Sequence, residues 1–155
     1  MSSSALITLL EQAENERDAA LARLRQADEA AQQARSQAEQ LHAYREDYRR
    51  RAPALHGKAA SIELVRCHQG FMQRLDQAIE QQRGQLAKLE QNAVAQRETV
   101  LEREIRVASV KKLIDRRADE ARRHAARIEQ RHTDETALRA SLARPSEMGA
   151  LMRKH

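Results

Sequence analysis

The sequence predicts an all-α protein: two long helices forming an antiparallel coiled-coil hairpin, the second helix longer and ending in a single-helix C-terminal overhang. Three observations carry that expectation. Charged residues make up 33% of the chain and aromatic residues 2%, with four glycines and two prolines, so both turn formers and bulky core side chains are scarce. A chain of that composition cannot fill a three-dimensional interior, but its Ala, Leu, Glu, Gln and Arg are good helix formers. Apolar residues recur every seven positions over most of the length, the signature of a helix that packs along one seam. The prolines, Pro53 and Pro145, divide the chain into one shorter and one longer helical stretch.

The first helix is expected over about residues 5–51. Ser4 and Thr8 are candidate N-caps, Thr8 with Glu11 as a capping box. Because the residue before a proline is pushed away from the α region, the helix is expected to stop near Arg51, leaving 52–58 as the turn. Its seam column is Leu6, Ala13, Ala20, Ala27, Ala34, Leu41 and Tyr48. The companion column is Leu10, Arg17, Leu24, Ala31, Ala38, Arg45 and Ala52. Small alanines permit close approach of a second helix, and the short connection makes the pairing antiparallel.

The second helix is expected over about 59–144, followed by a tail at 145–155, all within a single coiled-coil domain covering 1–155. Its column Val65, Met72, Ile79, Leu86, Ala93, Val100, Val107, Ile114, Ala121, Ile128 is apolar throughout. The companion is compromised: Leu75, Leu89 and Val110 alternate with Gln82, Gln96 and Arg103, and then it reads Arg117, His124, Arg131. Gly70 and Gly84 each weaken the helix by about 1 kcal/mol relative to alanine, which packing can absorb.

The two stretches are unequal, roughly 70 Å and 130 Å at 1.5 Å per residue. With the turn centred near Leu55, Leu6 should lie near Glu104, and everything beyond about Arg106 should overhang. Charge marks the same segment. Residues 1–51 carry 8 basic and 9 acidic side chains and residues 52–105 carry 7 of each, whereas 106–144 carry 11 basic and 6 acidic. One apolar residue per heptad is too little to hold a permanent partner helix, so the overhang is expected to be exposed or to bind something acidic.

Active-site chemistry is not indicated. The pair in "HGKAAS" lacks the upstream glycine and following hydroxyl of a phosphate loop, and the six histidines show no metal-ligand spacing. Carboxylates sit on helix faces with no pocket to raise their pKa. Neither an enzyme activity nor a cofactor or metal is expected. Basic residues interspersed with acidic ones, without stacking aromatics, argue against nucleic acid. Cys67 stands alone and reads as a small apolar filler. The opening "MSSSALITLL" lacks a basic n-region and its apolar run stops at Leu10, so a cytoplasmic protein is expected.

"LHAYREDYRRRA", with Tyr44 and Tyr48 four apart, followed by "GFMQRLDQAIEQQRGQL", resembles the FliJ family of the bacterial flagellar type III export apparatus. The likeness runs from about Ala5 to Leu138. The chain departs from enterobacterial members in lacking tryptophans in the second helix and in having Gln82 where some have histidine. The resemblance implies a central stalk, similar to the γ subunit of rotary ATPases, that enters and stimulates a hexameric export ATPase (FliI-like). It further implies a link to the cytoplasmic domain of the export gate protein (FlhA-like) and to export chaperones. The protein would then be peripheral to the inner membrane through its partners and a monomer when isolated.

Two sets of residues are assigned on this basis. Phe71, Leu75, Ala78 and Gln82, spaced four, three and four apart, form a stripe beside the seam and are the candidate gate-binding residues. Phe71 would otherwise fold over the first helix near Glu39. Arg116, Arg117, Arg122, Arg123 and Arg127 on the overhang are the candidate ATPase-ring contacts. The same pattern would also serve the equivalent stalk of a virulence-type injectisome, a free-standing coiled-coil holdase, or a nucleic-acid-binding hairpin.

Overall fold

The structure, a computed structural model, describes residues 2–56 and 61–143 and, of residues 52–56, the backbone alone. Two helices account for it: α1, Ser3–His56, and α2, Ile62–Ala143. Serines start both. The Ala5 N–H donates to Ser2 Oγ at 3.3 Å and the Leu6 N–H to the Ser2 carbonyl at 3.2 Å. At α2 the Leu64 N–H lies 3.4 Å from Ser61 Oγ, and Leu64 and Val65 both donate to the Ser61 carbonyl. Each hydroxyl thus occupies a donor that the first helical turn leaves without an intrahelical partner. Thr8 is not a cap; its hydroxyl donates to the Ser4 carbonyl at 3.0 Å from inside the helix.

The expected boundary at Arg51 is corrected by the structure, because α1 continues through Pro53 to His56. Proline removes one backbone donor, and in the last helical turn that loss falls where the ladder is ending and solvent can take over the carbonyl. The α2 start moves from Ala59 to Ile62, and residues 57–60 and the Pro145–Gly149 stop lie outside the described residues.

The chain divides into two compact units. The larger, Glu11–Val107, contains the closed part of the hairpin. Its core is two rows of side chains: Ala13, Ala20, Ala27, Ala31 and Ala34 from α1 against Leu75, Ile79, Ala93, Val100 and Val107 from α2, all buried. The wholly apolar α2 column therefore supplies four buried positions here, and the α1 contribution is alanine alone. No large side chain among the described residues is fully buried, so the seam is thin.

Ion pairs between the helices flank this seam. Arg45 Nε meets Asp76 at 2.6 Å and Arg35 meets Glu90 at 3.1 Å. Further along, the cation comes from α2: Arg97 lies 3.7 Å from Asp28, and Arg103 and Arg106 lie 3.5 and 3.7 Å from the same Glu16 oxygen. Each pair is partly exposed and worth under about 1 kcal/mol. As a set they fix register, since sliding one helix by a turn separates all of them. Glu16 faces α2 about ten residues further along than a turn centred at Leu55 would place it. The reason is Pro53: extending α1 past it moves the turn, and each residue of movement shifts an antiparallel pairing by two.

The smaller unit comprises Met1–Leu10 and Ala108–His155. Here Leu6 is buried, and Ser3 and Leu6 share a groove with Ile114, Arg117, Ala118 and Ala121. The register shift carries α1's cover beyond Arg106, where the overhang was expected to begin. From Asp115 to Ala143 every residue is exposed, and past Ala121 the helix is uncovered.

Candidate protein-protein interfaces

The only phenylalanine and both tyrosines of the chain meet at the closed end of the hairpin. Tyr44 and Tyr48, one turn apart on α1, stack with centroids 6.5 Å apart. Phe71 of α2 packs against Tyr48 at 4.6 Å and presents its edge to Tyr44 at 6.3 Å. The His68 ring, one turn before Phe71, lies nearly parallel to Tyr48 at 4.7 Å, and its buried Nδ1 has no hydrogen-bond partner among the described residues. Phe71 thus packs on the tyrosines and not near Glu39. The rings are concentrated at the closed end of the hairpin, and they widen a seam that alanine cannot fill.

The stripe containing Phe71 is turned largely into the hairpin. Leu75 is 8% exposed, while Phe71, Ala78 and Gln82 are half-buried. Gln82 Nε2 donates to the Ala34 carbonyl of α1 at 3.1 Å and to Gln37 Oε1 at 3.3 Å. A polar residue at a seam position is here satisfied by the opposite helix's backbone, which is how the compromised column tolerates it. Tyr44 is the exposed member of the ring cluster, at 52%, and lines a shallow groove with Gln37, Gln40, Leu41 and Gln82. Beside it, Asp76 hydrogen-bonds Arg45 and its charge adds to that bond, pushing the guanidinium further above its ordinary pKa. An arginine is charged at every working pH, so this contact brings no pH dependence of its own from the arginine.

The second set of residues lies on the exposed length of α2. Arg122 pairs with Asp119 one turn earlier, and Arg127 Nε donates to the Arg123 carbonyl at 3.4 Å. Arg117 lines the groove shared with Leu6. Arg116, Arg123 and Arg127, at steps of seven and four residues, share one face of the exposed helix, and Arg117 and Arg122 project about 100° to either side of that face. Among the described residues no cluster of three or more His, Cys, Asp or Glu could hold a metal ion, and no helix is long and apolar enough to cross a membrane.

A family model described as "Flagellar FliJ protein" matches residues 1–146. The chain belongs to the flagellar FliJ family. A FliJ relative from Salmonella typhi, "Flagellar FliJ protein", is 32% identical over 141 residues, covering 91% of this chain and 96% of the relative. No solved structure gives a significant match. Membership of the FliJ family makes the chain a coiled-coil component of flagellar protein export, and the two-helix architecture fits it.

The ring cluster was partly readable in advance. Tyr44 and Tyr48 lie four apart and so share a helix face, but placing Phe71 opposite them needs the register, which depends on where the turn falls. The ion-pair ladder could have been found in the same way, by asking which offset brings most opposite charges together.

Proposed function

We propose that this FliJ-family protein acts as the central stalk of the flagellar export ATPase and is not itself an enzyme. The exposed, arginine-rich end of α2 enters a hexameric, FliI-like ring and stimulates ATP hydrolysis, and the closed end of the hairpin contacts the export gate (FlhA-like) and delivers chaperones to it. One observation supports this reading above others: from Asp115 to Ala143 every residue of α2 is exposed, and past Ala121 none of the described residues of α1 lines a groove with it. A ring repeats its inner surface around one axis, so a bound shaft must find partners at several rotational settings. Cations spread around a helix can do so, whereas one shape-matched pocket cannot.

At the other end, Tyr44 and Phe71 supply the accessible ring surface for the gate, Ala78 and Gln82 flank it, and Leu75 supports it from beneath. Attachment to the membrane periphery follows from these partners, and the stalk is a monomer when isolated.

Charge then acts collectively. Replacing Arg116, Arg117, Arg122, Arg123 and Arg127 together by glutamine is expected to lower stimulation of the ring by tenfold or more, with a steep salt dependence in the wild type, while each single replacement changes it by no more than about twofold. Titrating the purified ATPase with each variant measures this. Full stimulation by the five-fold variant removes the overhang as the ring-binding element.

A further inference from the structure

We infer that the flank of α2 carrying Val94, Leu101 and Ile105 is a second docking surface, built for a partner's amphipathic helix whose apolar ridge is edged with lysine or arginine. These side chains are 51, 55 and 65% exposed, although the seam residues Ala93, Val100 and Val107 in the same stretch are buried. Steps of seven and four residues place the three on one face, and Val94 and Leu101 each follow a seam residue by one position, about 100° around the helix. The stripe is therefore not spare core; the hairpin closes without it. Isolated exposed apolar side chains are ordinary, but three aligned over three turns form the row that a helix ridge fills.

Charge selects the occupant. The cations of this stretch are all turned to α1: Arg97 to Asp28, and Arg103 and Arg106 to Glu16. Glu98 and Glu102, which border the stripe, are exposed, and neither is ion-paired among the described residues. An apolar row is thus left with an acidic edge because its own arginines are engaged across the hairpin. A basic amphipathic helix satisfies both features, whereas an acidic one meets like charge. The thin seam adds a reason for a third helix here, since an apolar row beside it would be covered without displacing either existing helix.

The chain has no tryptophan, so a single tryptophan in a synthetic probe reports binding without interference. The probe is an 18-residue leucine/lysine peptide with a helical ridge, compared with a scrambled peptide of the same composition and a leucine/glutamate counterpart, each titrated with the full chain. The ridge peptide is expected to bind at least about tenfold tighter than the scrambled one, and Leu101→Ser with Ile105→Ser to abolish that difference. Glu98→Lys with Glu102→Lys is expected to move the preference to the leucine/glutamate peptide. Both double variants change exposed positions and are checked for unaltered helicity and unaltered stimulation of the export ATPase, so the outcome is independent of the stalk assignment. Equal binding of ridge and scrambled peptides, or binding insensitive to both double variants, overturns the proposal. So does wild-type self-association in sedimentation that the Leu101→Ser, Ile105→Ser variant loses, which would make a second copy the occupant.

Discussion

Two lengths of α2 carry the same apolar column and meet opposite fates. In the closed hairpin Ala93, Val100 and Val107 are 4 to 6% exposed; two heptads further on, Ala121 is exposed and Ile128 is 53% exposed. Nothing in the column itself changes. What changes is the opposite helix, which runs beside the first length and reaches the second only with its first turn, where Ser3 and Leu6 share a groove with Ala121, and the companion column, where Leu75 and Val110 give way to Arg117, His124 and Arg131. An apolar periodicity states which face would be buried; it does not state that a partner is there to bury it. The uncovered length stays helical because it is propagated from a packed helix, is rich in Ala, Arg and Glu, and carries local pairs such as Arg122 with Asp119 and Gln130 with Asp134.

Truncating the column in both lengths is the sharpest way to break this contrast. Ile79→Ala removes a buried side chain from the thin seam and is expected to destabilise the hairpin by about 2–4 kcal/mol. Ile128→Ala, the same chemistry seven heptads later at an exposed position, should leave stability within about 0.5 kcal/mol of wild type. Denaturant melts of the two variants decide it; equal losses would mean that the outer length is packed in solution.

A smaller effect separates structure from recognition at the closed end. Phe71→Ala deletes a half-buried ring lying on Tyr48 and is expected to lower stability by about 1–3 kcal/mol. Tyr44→Ala deletes the most exposed ring of the cluster and should lower stability by under about 1 kcal/mol while weakening gate binding more than stability. Thermal melts beside a gate-domain binding titration give both numbers, and unimpaired gate binding by a folded Tyr44→Ala, Phe71→Ala variant would take the ring cluster out of the gate contact.

Smallest is a gain. A Cβ built at Gly84 meets nothing within 4 Å, so Gly84→Ala should stabilise the hairpin by about 0.5–1 kcal/mol through the helix backbone alone. A loss instead would show that the space beside Gly84 is filled in solution.

The sequence made the columns legible because a seven-residue repeat reports a helix face directly. Gln82 and Arg103 were visible as flaws in one column, and the structure shows how each is accommodated, by the Ala34 carbonyl and by Glu16. Register was not legible. It hung on Pro53, where a local preference for ending a helix lost to the helix's own continuation, and the resulting shift moved the partners of Leu6, Glu16 and Phe71 together. The arginine set is legible as a charge excess, but where the cover stops depends on register, and the structure carries it past Arg106 to Ala121. The stripe at Val94, Leu101 and Ile105 is not legible in the sequence, because its register matches neither seam column and only exposure distinguishes it.

Amide hydrogen exchange of the free protein, then of the protein with the assembled export ATPase, tests the uncovered stalk end most directly. In the free chain, amides from about 75 to 107 should exchange slowly and those beyond 121 orders of magnitude faster; adding the ring should protect the region from 115 to 143 and leave the seam unchanged. Slow exchange beyond 121 in the free protein, or ring-induced protection confined to the closed hairpin, would contradict it.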